Sequence, residues 1–192
     1  MREATLLTAA TWEPVSLREI KTQVQLAPEY TAHDVELQQL VTGAREQYER
    51  DTSQVLASSS WQIRFDDWPV EYFELDVRPI TAIERIRYYD TTGTLQTVAS
   101  SVYELDAAYP VARIRLGDNQ QWPTARGHEG DILIDYTAGY ASQAAVPASI
   151  KHAVMLLAAT WFEQRTAVGS AMQELPLSYT AMVHSRMRAS YP

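Results

Sequence analysis

At about Gln54 the spacing of hydrophobic residues along this chain changes, and after Tyr140 it changes back. Before the first switch, apolar side chains recur at helical intervals. Between the switches they alternate with polar ones, and beyond Pro147 the helical interval returns. A chain with two such switches is neither a bundle nor a sheet throughout. It predicts an α+β protein: a helical frame made of an N-terminal helix pair, a long third helix and a short C-terminal helix, with an inserted antiparallel β subdomain. The expected segments are residues 1–53 for an N-terminal arm and helix pair, 54–140 for the insertion, and 141–192 for the long helix and tail. They form one structural unit, because neither the helix pair nor the third helix can bury its stripe alone.

The first helix is marked by "PVSLREIKTQVQL", where Ser16 and Glu19 have capping-box spacing and Val15 and Ile20 suit a hydrophobic staple. Leu17, Ile20 and Val24 form its stripe, Lys21 is expected to face elsewhere, and the helix should end near Pro28. In "TAHDVELQQLVTGAREQYERDT", Thr31 is the expected cap, Asp34 favours the positive helix end, and Leu37, Leu40, Val41, Ala44 and Tyr48 share one face. The alternating region places Trp61, Ile63 and Phe65 inward, then Phe73, Leu75 and Val77, and gives a hairpin turning at Gly93. "VARIRL" sends Arg113 and Arg115 opposite to Ala112, Ile114 and Leu116. "DILIDY" turns Ile132, Ile134 and Tyr136 inward and Asp131 and Asp135 outward, so charges should pair across neighbouring strands. Pro147 suits the first helical position of the third helix, whose core and packing stripe is Ile150, Val154, Leu157 and Trp161, widened by Ala153, Ala158 and Phe162. A short last helix is expected around Met182, Val183 and Met187.

Composition excludes several kinds of chemistry. There is no cysteine, hence no disulfide, thiolate nucleophile or cysteine metal site. Nowhere does the chain offer the roughly 20 apolar residues that span a bilayer, so no membrane partner is expected. A net charge of -8, with only Lys21 and Lys151 against fourteen arginines, argues against a lysine-rich phosphate grip. His152 has no carboxylate at helical reach, and His128, Glu129 and Asp131 do not reproduce a zinc spacing. Neither a nucleophile elbow nor a phosphate-binding glycine loop occurs. The aromatics Trp61, Trp68, Tyr72, Phe73, Tyr88, Tyr89 and Trp122 read as sheet core and cross-strand pairs before they read as a ligand platform. The expectation is a non-enzyme with no catalytic residue, metal or cofactor.

Several phrases in order carry a resemblance: "PVSLREIKTQVQL", "LQQLVTGAREQYERDT", "RPITAIERIRYYDTTGTL", "DYTAGYASQAAVPASIKHAVMLLAATWFEQR" and "ELPLSYTAMV". Together they make nearly the whole chain resemble the head-tail connector (adaptor) proteins of long-tailed bacteriophages, in the branch with a β insertion between helices. The resemblance implies a homo-oligomeric ring of twelve copies in the virion neck, assembled in the host cytoplasm. Its partners would be the portal protein and the next connector, stopper or tail protein, with double-stranded DNA passing through the channel unread. The same resemblance assigns portal docking to residues 175–192, in particular Leu177, Met182, Val183, Arg186 and Arg188. A tail-completion or stopper protein, and an enzyme or carbohydrate-binding module built on the β subdomain, are the competing readings.

Overall fold

The computed structural model describes residues 4–75, 77–107, 111–164 and 177–187. The chain divides into two compact units, one of residues 1–10 and 58–140 and one of residues 11–57 and 141–192.

The second unit is helical, built from α1 (Leu17–Gln23), α2 (Asp34–Thr52), α3 (Ala148–Glu163) and α4 (Leu177–Met187). The capping box is present: the Glu19 amide donates to Ser16 Oγ at 3.3 Å, and the Ser16 amide donates to the Glu19 carboxylate at 2.7 Å. Both staple residues, Val15 and Ile20, are buried. The helix stops at Gln23, earlier than Pro28, and Gln25 turns the chain through the left-handed region with φ 57. Lys21 is buried, contrary to expectation. Its ammonium is 3.0 Å from the Pro28 carbonyl and 2.6 Å from Asp34, so it ties the connecting loop to the first turn of α2. The cap of α2 is His33, not Thr31, whose carbonyl instead closes a turn onto the Asp34 amide. Leu37, Val41, Ala44 and Tyr48 are buried as expected, with Leu40 half-buried. Pro147 is the N-cap of α3, one position before the expected one, because its ψ of 138 is extended; its carbonyl accepts from Ile150 and Lys151. Ile150, Val154 and Leu157 are buried with Ala153, Ala158 and Ala159. Where α2 and α3 pack, Gly43 brings the backbone close to Trp161: a Cβ there would stand 3.3 Å from the indole.

The first unit contains β1 (Thr5–Thr8), β2 (Ser59–Phe65), β3 (Tyr72–Leu75), β4 (Ile80–Tyr89), β5 (Leu95–Thr97), β6 (Tyr103–Asp106), β7 (Ala112–Leu116) and β8 (Ile132–Ala138). They make a five-stranded sheet of order β1-β2-β8-β4-β5 and a three-stranded sheet of order β3-β7-β6, all pairs antiparallel. Ile63, Phe65, Ile86, Ile132, Ile134 and Tyr136 line one face of the large sheet, and Phe73, Leu75, Ala112 and Ile114 one face of the small sheet; all are buried. The rings of Phe65 and Phe73, 4.5 Å apart, join the two sheets. Gly93 has φ 82 in the β4–β5 turn, where Asp90 accepts from the amides of Thr92 and Thr94. Val77 lies beyond the end of β3 and Trp61 is only half-buried.

Two charge expectations need correction. β7 and β8 lie in different sheets, so Arg113 and Arg115 pair with Glu74 (3.4 Å) and Glu104 (2.8 Å) of their own neighbours, not with the aspartates of β8. Asp131 and Asp135 are buried rather than outward. β8 is the central strand, and long side chains from β2 and β4 close over Asp135, which accepts from Gln62 (2.7 Å), Arg85 (2.6 Å) and Arg87 (2.7 Å).

Candidate assembly surfaces

A helix that docks on a partner must keep apolar side chains free, and α4 spends part of its apolar face at home. Tyr179 and Val183 are buried, and the Tyr179 hydroxyl donates to Asp51 of α2 at 2.7 Å. Burial, then the Asp51 carboxylate, pushes that phenol well above its ordinary range. Leu177 is 84% exposed and remains available on the surface, whereas Met182 is half-buried and Val183 is buried. The Arg186 side chain and Arg188 lie outside the described residues. On α3, Ile150, Val154 and Leu157 are consumed by the core, whereas Trp161 reaches the surface in part.

A cleft of about 690 Å³ opens beside α1, floored by Trp12, Val15, Leu17, Ile20 and Val41 and edged by Gln143. Several of its polar members are already engaged. The Glu13 carboxylate accepts from Thr42 Oγ1 (2.9 Å) and Arg45 Nε (2.8 Å), and Gln143 donates to the Glu13 carbonyl at 3.2 Å. Arg45 also holds Glu49 at 2.6 Å, and Glu49 accepts from the Leu56 amide. Burial raises the Glu49 pKa despite those donors. With its apolar floor, the cleft offers packing surface. Sequence reading missed it because its lining comes from three separated stretches, none periodic across the gaps.

In the β unit, Trp68 and Trp122 stack on each other, 4.7 Å between centroids and 5° from parallel. Phe73 and Tyr88 abut Trp68 edge-on. One face of each indole is thus spent on the other, which suits a core cluster better than an open sugar-binding platform. In the loop read against a metal site, Asp131 is bound by Arg126 at 2.6 Å and by the His128 amide at 2.7 Å, and Arg126 holds its carboxyl below the usual range. Among the described residues no group of three histidines, aspartates or glutamates is placed to hold a metal. No described helix is long and apolar enough to cross a membrane. His152 stands exposed on α3.

No family model and no curated protein matches the chain. Solved structures do. A chain from the neck of an empty gene transfer agent (GTA) particle computed with C6 symmetry matches with TM-score 0.77 and 24% identity, over 96% of this chain and 94% of that one. A chain from the virion of a native gene transfer agent particle matches with TM-score 0.77 and 24% identity, over 95% and 93%. One from the neck of a native GTA particle computed with C12 symmetry gives 0.69 and 23%, over 96% and 94%. Helices and both sheets are included at such coverage, so the chain has, along nearly its whole length, the α+β fold of chains from gene transfer agent necks.

Proposed function

We propose that this protein is a structural component of the neck of a phage-like particle, a head-to-tail connector whose copies form a ring beneath the portal and leave a channel for DNA. The observation that carries the reading is the fold shared with neck chains over almost the full length of both partners. The C6 and C12 symmetry of those necks supports a cyclic ring, with twelve copies as the reading for this chain. Its work is binding: the cleft beside α1 and the exposed helix faces offer contact area. The acidic chain, with two lysines, disfavours phosphate attraction that would slow a passing duplex.

Portal docking falls to α4 through Leu177 and Met182, followed by Arg186 and Arg188. Removing residues 175–192 outright would also strip Tyr179 and Val183 from the helical core. Leu177→Asp is the cleaner test, because its side chain is already in water. The variant should keep wild-type stability and lose at least tenfold in affinity for purified portal. Unchanged affinity would remove α4 from the docking surface. Binding to tail assemblies but not to portal would make the protein a stopper or tail-completion component.

A further inference from the structure

We propose that the five-stranded sheet is left open so that neighbouring copies join edge to edge, β1 of one copy pairing in parallel with β5 of the next. This rests on the ring reading above. Every pair in the β1-β2-β8-β4-β5 order is antiparallel, so the two edge strands of this odd-numbered sheet run in the same direction. A rotation about a ring axis preserves the direction of strands that run along that axis, so with the strands so placed the contact between unlike edges is head-to-tail and parallel. All seven residues of β1 and β5 are exposed, including Leu6 (46%), Leu7 (48%) and Leu95 (40%).

Sheet edges that stay in water are usually blunted by lysine, proline or inward charge. "TLLT" and "LQT" contain none of these, and short length with one register shift after Leu6 is their only protection. Unpaired backbone donors and acceptors beside exposed leucines at both ends of one sheet fit a second copy of the same strand set, and an edge pair satisfies both. With strands about 4.8 Å apart, each copy contributes roughly 24 Å of arc, so twelve copies trace a circle of radius about 46 Å. A ring of that size leaves its axis open.

The chain has no cysteine, so an introduced pair reports one contact only. Leu6 pairs with Trp61, and Gln96 with Tyr88, on the core-facing side of the sheet, whereas Thr97 pairs with Arg87 on the other side. Within one copy β1 and β5 are about 19 Å apart, far beyond disulfide reach. Particles carrying the full-length Leu6→Cys/Gln96→Cys chain should, on mild oxidation, give a ladder of covalent dimers, trimers and higher multimers. Leu6→Cys/Thr97→Cys should give none, and Leu95→Lys should fold normally yet fail to enter rings. Rings seen by electron microscopy without a ladder would overturn the edge pairing and leave the neck assignment standing. Absence of rings from the particles would overturn both.

Discussion

Asp135 is an acid whose setting makes its protonation state a measure of the fold. Burial by itself would raise its pKa, but donors on Gln62, Arg85 and Arg87 bring it below the ordinary carboxylate range. A carboxylate whose folded pKa lies below its unfolded value of about 3.9 contributes stability above that pH and loses it as pH falls through the folded value. Asp135→Asn should therefore cost about 2 kcal/mol in urea unfolding at pH 7, a figure held down because the Arg85 side chain is half exposed to water. The gap from wild type should close as pH drops below about 4, and a gap independent of pH would show that packing, not charge, is at stake. Tyr179→Phe removes the single hydroxyl that fastens α4 to Asp51, and should cost about 1–2 kcal/mol without changing the helical content seen by circular dichroism.

At the scale of elements, helix packing depends on close approach. Gly43→Ala gains helix propensity but puts a methyl 3.3 Å from the Trp161 ring, while Gly43→Leu presses a larger side chain against that ring and should lose about 1–3 kcal/mol in the same unfolding assay. Leu157→Ala, fully buried in α3, should lose about 2–5 kcal/mol through the cavity it leaves. Features of this kind are legible in sequence because they are local and periodic: the Ser16–Glu19 box, the Leu37 to Tyr48 stripe and the Ile150 to Leu157 stripe all fall where spacing puts them. What spacing does not carry is strand partnership. Alternation marks "VARIRL" and "DILIDY" as strands but does not say that they enter different sheets, and so it does not tell which acids Arg113 and Arg115 meet. Asp135 reads as outward because its strand alternates, yet a central strand is covered on both faces once neighbours lend their long side chains. Lys21 reads as surface because lysine usually is, until a loop carbonyl and Asp34 supply partners inside. Of the surfaces, the exposed Leu177 was within reach of sequence, while the cleft beside α1 and the open edge at β1 depend on distant segments meeting.

For the whole molecule, the division into a helical unit and a β unit separates two kinds of surface. The helical unit exposes Leu177 and contains the cleft, and the β unit ends in two exposed edge strands. The most direct test is to locate this chain, by a small fused label, in a three-dimensional reconstruction of purified particles from its producing cell. A single ring of label density at the junction of capsid and tail, with cyclic symmetry, is the predicted result. Label on the capsid shell, at the tail tip, or missing from the particles would contradict the assignment.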